Sequence, residues 1–323
     1  MIITRTPLRV SFLGGGTDFK DFYEKYGGEV VSSAINKYIY ICVHKHLDGK
    51  KFLLKYSKVE EGEDVNKIEH DLIRECMKMT GVFGVEIVSM SDVPTTGIGL
   101  GSSSSFTVGL LNALYAYKGE SKSAEELAQK ACEIEIDILN RPIGKQDQYI
   151  AAYGGMRRFV FLENGQVKTS EIVLSKEKRD EFDSSLLLFY TGNCRSSSNV
   201  LSEQKANIPE KEQSLLKVKK MAEDGFDFLS SGNLDKIGGL MLQNWTEKKQ
   251  WARLISNDKI NIDYQKAVDA GALGGKICGA GGGGFFLFYC AKEKQDNVRK
   301  ALSDLKEFEF CLEPKGSIII HRD

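Results

Sequence analysis

The chain lacks several features that would place it in common classes of protein. No run among its 323 residues approaches the ~20 apolar residues of a membrane-spanning helix. It also lacks an excess of charge of one sign, because 44 lysines and arginines stand against 45 acidic residues, so we expect no nucleic-acid partner. It begins with a strand-like segment instead of the apolar core of a signal peptide. We therefore expect a cytoplasmic protein without a membrane partner.

Cysteine-based frameworks are also missing. None of the seven cysteines is in a Cys-x-x-Cys spacing, so the sequence indicates neither a disulfide framework nor a zinc site. We interpret them as buried thiols in a reducing compartment. The length is sufficient for a sizeable core, in one large domain or in two lobes that share an interface.

Hydrophobic periodicity gives a coarse order of elements. It predicts strands near residues 2–13, 29–45 and 84–90, helices near 102–117 and 123–139, and β-rich segments at 155–174 and 185–191. Residues 195–253 have a helical pattern with breaks at Pro209 and at 231–233, and 274–291, 293–306 and 314–321 follow as strand, helix and strand. Because strands and helices arrive in blocks, the order favours an α+β fold over a doubly wound parallel sheet.

The chain contains three glycine-rich segments, which we call the first (residues 14–16), second (94–105) and third (276–284) glycine segments. The second glycine segment has the sequence PTTGIGLGSSSS and follows a strand-like run. Its glycines permit positive φ, and the serines begin a helix whose first-turn N–H groups favour a phosphate. No Lys follows the glycines, so this is not a Walker loop. A flexible turn with a serine N-cap is the alternative interpretation.

The other two segments flank it in the sequence. The first glycine segment, residues 14–16, ends a predicted strand that carries Arg9 and is followed by Asp18 at a predicted helix start. The third glycine segment, residues 276–284, precedes the apolar strand 285–289. Each has a structural explanation when taken alone. Arg9 would be a solvated strand residue, Asp18 a helix N-cap, and the third glycine segment a tight hairpin.

Taken together and in this order, the three segments resemble the GHMP kinase superfamily. Gly99-Leu100-Gly101-Ser102-Ser103 matches its second motif, with Pro94 one residue further upstream than usual and Ser104 where Ala is common, and Gly279–Gly283 matches its third. Residues 13–18, 144–149 and 190–195 resemble the branch of D-glycero-D-manno-heptose 7-phosphate kinases. Galactokinases carry Gly-Glu-His-Thr-Asp in the first motif, whereas this chain has glycines in place of the Glu and His.

The resemblance implies an α+β GHMP kinase fold with its active site between two domains. These would be an N-terminal ribosomal S5-like domain at residues 1–180 and a C-terminal ferredoxin-like domain at residues 181–323. It also implies ATP and Mg²⁺ as cofactors. The residues expected to bind the nucleotide are Pro94, Gly97, Gly99, Leu100, Gly101, Ser102, Ser103, Ser104, Gly281 and Gly282.

Helical phase marks one unusual acid. In the predicted helix 123–139, Glu133 belongs to the polar face, whereas Glu135 projects from the apolar stripe formed by Leu127, Ala131, Ile134 and Ile138. An unpaired carboxylate is costly there, so Glu135 either pairs with a Lys or Arg or binds a metal. The resemblance makes Glu135 and Ser103 the Mg²⁺ ligands.

The resemblance also assigns the reacting residues. Asp147, at a predicted helix start, would accept the proton of the sugar hydroxyl that attacks the γ-phosphate, and first-turn charge is its structural alternative. Arg9 would be the cation that favours the ionised carboxylate, with Lys145 as the second candidate.

For the acceptor, the expected contacts are Gly16, Thr17, Asp18, Asp147, Arg195 and Gly281. A phosphorylated sugar needs a cationic grip, and Arg195, next to a turn and three serines, is our first candidate for it. Arg141, Arg157 and Arg158 are alternatives, and surface solvation is the structural explanation for all four.

The sequence therefore predicts an ATP- and Mg²⁺-dependent kinase of the anomeric C1 hydroxyl of a sugar phosphate, D-glycero-D-manno-heptose 7-phosphate. The alternatives are a kinase of a fucose- or galactose-like sugar and a non-catalytic regulator that binds sugar and nucleotide. The glycine segments give little support to nicotinamide binding, because none of the three has Gly-x-Gly-x-x-Gly between a strand and a helix. The expected partners are the sugar phosphate and ATP, and a homodimer is one of the assemblies that the sequence leaves open.

Overall fold

The computed structural model describes residues 1–94, 97–192 and 197–323 of the chain. Its strands are β1 (Ile2–Leu13), β2 (Gly28–Lys45), β3 (Phe52–Lys55), β4 (Val59–Gly62), β5 (Val85–Ser91), β6 (Met156–Phe161), β7 (Val167–Glu171), β8 (Leu186–Tyr190), β9 (Gly274–Ile277), β10 (Phe285–Tyr289), β11 (Lys306–Glu307) and β12 (Ile318–Arg322).

The helices are distributed along the whole chain. They are α1 (Lys20–Tyr26), α2 (Asp71–Thr80), α3 (Ser102–Tyr117), α4 (Ala124–Cys132), α5 (Gln146–Tyr153), α6 (Lys176–Ser184), α7 (Ser197–Ala206), α8 (Glu212–Ser230), α9 (Asp235–Lys248), α10 (Asp258–Asp269) and α11 (Gln295–Ala301). In the described ranges, no helix combines the length and the apolar character that crossing a bilayer would require.

The larger sheet is built on the long antiparallel pair of β1 and β2. Its strand order is β12-β1-β2-β5-β3-β4, and β6 pairs with β2 and with β7. Helix α3 packs against β1 and β2 and is buried along almost its whole length, so its first turn, which belongs to the second glycine segment, is fixed relative to Arg9 on β1. The sheet therefore determines where two of the predicted motifs meet.

The smaller sheet has the antiparallel order β11-β8-β10-β9. Its strands β8 and β10 are apolar on both faces, because one face packs on helices and the other on the larger sheet's core. Aromatic side chains fill the helical side, among them Trp245, Phe286 and Phe288. The third glycine segment connects β9 to β10 and so lies at the end of this sheet.

The predicted boundary at residue 180 lies between strands β1–β7 of the larger sheet and strands β8–β11 of the smaller one. The C-terminal strand β12 crosses it, because it returns to pair antiparallel with β1, Ile2 facing Arg322. The terminal residues 318–322 thus belong to the larger sheet and not to the second predicted domain. Sequence periodicity could not show this, since the pairing joins the two ends of the chain.

Candidate active site

A buried arginine joins the first strand to the predicted catalytic acid. Arg9 Nε and Nη2 donate to Asp147 Oδ1 and Oδ2 at 2.8 and 2.7 Å, and Nη1 donates to Gly99 O at 2.5 Å. The backbone N–H of Arg9 also donates to Leu100 O at 3.0 Å. At Gly101, φ is +75° and an added Cβ would lie 3.1 Å from the Arg9 side chain, so glycine is required for this approach. The pair fixes Asp147, in the first turn of α5, beside the second glycine segment.

The second and third glycine segments contact each other backbone to backbone. A Cβ on Gly99 would lie 2.4 Å from Cys278 O, one on Gly279 would lie 2.6 Å from Gly99 Cα, and one on Gly284 would lie 2.4 Å from Ile98 O. All three glycines have positive φ. Their lack of side chains therefore serves, at least in part, contact between the two loops. The sequence alone suggested close approach to a ligand, a flexible turn or a tight hairpin.

We expect Gly279→Ala to destabilise the protein by roughly 1–3 kcal/mol, because the new Cβ meets backbone and the residue keeps a positive φ. Gly239→Ala is the matched control, since it lies within α9 and its Cβ would meet nothing within 4 Å. Chemical denaturation of both variants measures the difference. Equal stability of the two would show that the loops can separate without cost.

The third glycine segment is anchored from two sides. The N–H of Gly282 donates to Ile255 O at 2.7 Å, so this amide, predicted to meet the nucleotide, already has a protein acceptor. A Cβ on Gly281 would lie 2.9 Å from the same Ile255 O. From the other side, Lys248 Nζ donates to Gly279 O at 2.5 Å.

Glu135 is held by the first two turns of α3 and the first turn of α5. After α4 the chain continues as a π-helical segment, Glu133–Ile138, which turns Glu135 into the interior with none of it exposed, whereas Glu133 is exposed. Its oxygens accept hydrogen bonds from four side chains at 2.5 to 3.2 Å, those of Ser103, Ser104, Thr107 and Gln148. Burial raises the pKa of Glu135, and the hydrogen bonds from Ser104, Ser103 and Gln148 and the charge of Arg141 oppose the rise.

The acid predicted to bind the acceptor is tied to the helix that carries Asp147. Asp18 Oδ1 and Oδ2 accept from the backbone N–H groups of Gly16 and Gln146 at 3.0 and 3.1 Å. Gln146 is the first residue of α5 and directly precedes Asp147, so Asp18 lies at the start of the helix that carries Asp147. Burial raises the pKa of Asp18. The alternative interpretation of Asp18 as a helix N-cap is wrong, because the N-cap residue of α1 is Phe19.

Thr17 has a different environment from the one predicted. Its hydroxyl lies 2.8 Å from both Gly14 O and Glu29 O and accepts from the N–H of Glu29 at 2.9 Å. The side chain is fully buried and its hydrogen-bonding capacity is used inside the turn. Thr17 therefore shapes the first glycine segment instead of offering its hydroxyl to a ligand.

Most of the basic residues proposed from the sequence form hydrogen bonds or ion pairs within the protein. Lys145 Nζ donates to Gly165 O at 2.7 Å and lies over the Tyr23 ring, so Arg9, and not Lys145, is the cation beside Asp147. The three alternative arginines are paired with carboxylates: Arg141 with Asp71, Arg157 with Glu171, and Arg158 with Glu29. Arg195 lies outside the described residues.

Two lysines that sequence reasoning gave no role lie buried near the pair. Lys248 on α9 and Lys276 on β9 are only 4% and 1% exposed. Burial, reinforced by neighbouring cations, lowers the pKa of Lys248 to about 8 and that of Lys276 to about 7. The one available sequence signal was the position of Lys276 at the start of the third glycine segment. Helical periodicity alone could not distinguish Lys248 from the many solvated lysines around it.

The site thus combines groups with complementary tasks. The buried Arg9 forms a bidentate pair with Asp147. Helix α3 begins at Gly101 without a capping side chain, and the second and third glycine segments are in contact. A helix start of this kind suits a phosphate, and an acid beside it suits removal of a proton from an attacking hydroxyl. Positioning and charge neutralisation are what phosphoryl transfer mainly requires.

Comparison with known proteins agrees with this chemistry. Residues 66–155 match the model of the GHMP kinases N terminal domain, and residues 226–308 match that of the GHMP kinases C terminal. The D-glycero-alpha-D-manno-heptose 7-phosphate kinase of Campylobacter jejuni is 30% identical over 97% of each chain. A galactokinase of Pyrococcus furiosus is 25% identical over 95% of this chain and 93% of that protein.

Solved structures show the same fold. A D-glycero-D-manno-heptose 1-phosphate kinase from Bacteroides thetaiotaomicron matches all of both chains with a TM-score of 0.82 and 24% identity. A galactokinase of Lactococcus lactis, solved with galactose, has a TM-score of 0.78 and 18% identity over 98% of this chain and 94% of that one. The predicted α+β fold and the predicted kinase class are thereby confirmed. On its sequence similarity and its architecture, the chain belongs to the GHMP kinase family.

Proposed function

We propose that the protein transfers the γ-phosphoryl group of ATP to the anomeric C1 hydroxyl of D-glycero-D-manno-heptose 7-phosphate, giving the 1,7-bisphosphate. The observation that carries the proposal is the bidentate pair of Arg9 and Asp147, next to the contact between the second and third glycine segments. The similarity to the Campylobacter jejuni kinase over nearly the full chain supports the choice of sugar.

Asp147 is the proposed base. As the C1 oxygen bonds to the γ-phosphorus, its proton passes to a carboxylate oxygen of Asp147, and the bond from phosphorus to the β,γ-bridging oxygen breaks to release ADP. Arg9 donates to both carboxylate oxygens and keeps the carboxylate in place. Arg9 also donates to Gly99 O, so it links the proposed base to the second glycine segment.

The residues around Glu135 fit the Mg²⁺ that the family implies. Mg²⁺ is commonly held by one or two carboxylates together with substrate phosphates and water, and the described residues offer no larger cluster of acids, His or Cys that would form a protein cage. Glu135 is a fully buried carboxylate, and its partner Ser103 is exposed at the start of α3. We propose these two as its ligands. When bound, Mg²⁺ neutralises charge on the phosphates.

The acceptor is placed by the first glycine segment. Asp18, oriented by the amides of Gly16 and Gln146, accepts hydrogen bonds from sugar hydroxyls. Gly281 on the third glycine segment and Arg195 remain proposed contacts.

A substrate panel tests the proposal. We expect kcat/KM to be highest for the heptose 7-phosphate, and lower for the same heptose without phosphate, for galactose and for fucose. Phosphorus NMR of the product should show the new phosphate at C1. A preference for galactose or fucose would assign another sugar, and absence of ATP turnover with any acceptor would support a binding regulator.

A further inference from the structure

Three polar side chains converge on Gly15, where the chain has no side chain of its own. An added Cβ at Gly15 would lie 3.5 Å from Ser11 Oγ, 3.5 Å from Gln146 Nε2 and 4.0 Å from Lys276 Nζ, which are ordinary contact distances. Gly15 also lacks the positive φ of its neighbours Gly14 and Gly16. Neither backbone conformation nor a clash therefore requires glycine at this position, and its absent side chain leaves open the space that these groups face.

These groups lack partners within the described part of the chain. Ser11 Oγ and Gln146 Oε1 are buried without a hydrogen bond. The Lys276 side chain is 1% exposed, and in the described residues its ammonium has neither a hydrogen-bond acceptor nor an ion pair. Buried polar groups in native proteins are nearly always satisfied, because an unmet donor or acceptor costs about 1–3 kcal/mol. A bound anion would accept hydrogen bonds from the three donors that face Gly15, which are Ser11 Oγ, Gln146 Nε2 and Lys276 Nζ.

The charge around the Lys276 ammonium selects an anion. The groups that face it are the cations Lys248 and Arg9, the thiol of Cys278 and the carboxylate of Asp18. Lys248 adds a further positive charge beside this ammonium, whereas the charge of Arg9 is paired with Asp147. The Asp18 oxygens accept hydrogen bonds from backbone amides. A neutral hydroxyl would leave this excess of positive charge uncompensated, whereas a phosphate dianion compensates it.

We propose that Lys276, together with Ser11 and Gln146, binds the phosphate that the acceptor sugar already carries, in the space left open by Gly15. This inference rests on the proposed function, because it requires a phosphorylated acceptor. Gly15 lies in the same turn as Asp18, the residue assigned to the sugar, so the acceptor's phosphate is favoured over the γ-phosphate of ATP. Lys276 is then the residue that determines specificity for a phosphorylated sugar.

Lys276→Met is the first test. Met keeps an unbranched side chain and removes only a charge that burial already disfavours, so the fold should be retained, as a thermal melt will show. We expect kcat/KM for heptose 7-phosphate to fall roughly 10- to 100-fold, and that for the unphosphorylated heptose to change less than about threefold. Arg195→Met, measured beside it, tests the residue that sequence analysis favoured for the same phosphate.

Gly15→Ala is the second variant, and it leaves every polar group intact. Its methyl group fits the protein without clash but enters the space proposed for the phosphate. Stability should be unchanged, and KM for the phosphorylated sugar should rise while KM for the unphosphorylated sugar and for ATP stay near their wild-type values. This variant keeps the proposal testable even if Lys276→Met does not fold.

Calorimetry provides a readout that a structural role would not change. The free ammonium has a pKa of about 7, so at about pH 8 it is mostly neutral, and a bound phosphate should raise its pKa and draw in a proton. Titration of heptose 7-phosphate into the Mg·ADP complex, in buffers with different ionisation enthalpies, should show proton uptake that Lys276→Met lacks. Equal proton uptake by the two proteins would show that another group takes up the proton and would contradict the role of Lys276.

The outcomes separate the inference from the proposed function. A wild-type preference for the phosphorylated sugar with parallel losses for both sugars in Lys276→Met would overturn the role of Lys276 and assign it to the transferred phosphate, leaving the function intact. A selective loss in Arg195→Met and none in Lys276→Met would also overturn it. A wild-type preference for unphosphorylated sugars would overturn the proposed function, and this inference with it.

Discussion

Asp147→Asn should lower kcat by about two orders of magnitude or more, because base catalysis typically contributes ~10²–10⁴-fold to proton transfer. The amide is nearly the same size as the carboxylate, and its oxygen can still accept one hydrogen bond from Arg9, which also keeps its bond to Gly99 O. The fold and the affinity for ADP should therefore change little. Steady-state kinetics and ADP titrations measure the two effects separately.

The matched control for Asp147→Asn is Glu307→Gln. Glu307 is gripped by Arg299 Nε and Nη2 at 2.8 and 3.0 Å, a similar bidentate pair that lies on β11 and α11, away from the glycine segments. If loss of an Arg–carboxylate pair by itself damaged the enzyme, both variants would be slow. Near wild-type kcat in Asp147→Asn would remove this residue from the proposed mechanism.

Glu135→Gln should raise the Mg²⁺ concentration needed for half-maximal activity by about tenfold or more and lower kcat. The amide cannot neutralise the cation, and its NH₂ group opposes some of the four side-chain donors that now converge on the carboxylate. Mg²⁺ titrations of activity at saturating ATP measure the shift, and a thermal melt measures the accompanying loss of stability.

Glu133→Gln is the control for Glu135→Gln, since it makes the same chemical change two residues away on the exposed side of the same π-helical segment. It should leave both the Mg²⁺ requirement and kcat close to wild type. A similar Mg²⁺ shift in the two variants would contradict a specific metal-binding role for Glu135. A loss of stability in Glu135→Gln without any Mg²⁺ shift would make its role structural.

Much of the secondary structure could be predicted from periodicity. The strand predicted at residues 2–13 and the helix predicted at 102–117 coincide with β1 and α3. Glu135 is buried as its predicted position on the apolar stripe implied, but Ile138 of the same stripe is exposed, because the segment is π-helical and departs from the predicted α-helical phase. The short strands β3 and β4 and the helices α2, α6 and α10 were not predicted. They are short or strongly charged, and tertiary packing stabilises such segments more than local preference does.

The candidate site could be predicted as a set of residue types but not as an arrangement. The pairing of Arg9 with Asp147 crosses 138 positions of the sequence, and the choice of Arg9 over Lys145 depends on where Gly165 and Tyr23 lie. The partners of the other arginines and the saturation of the Thr17 hydroxyl are likewise contacts between distant segments. No local pattern encodes such contacts.

The sequence by itself determined the glycine segments, the α+β order of elements and the acids available for chemistry, because backbone freedom and hydrophobic periodicity are properties of neighbouring residues. Only the tertiary structure decided that glycines 99 and 279 serve contact between two loops, and that Lys248 and Lys276 are buried beside the reacting groups. The physical reason is that burial, charge and unmet hydrogen bonds arise from the meeting of distant segments. Burial of these two lysines lowers their pKa, which no local pattern of the sequence indicates.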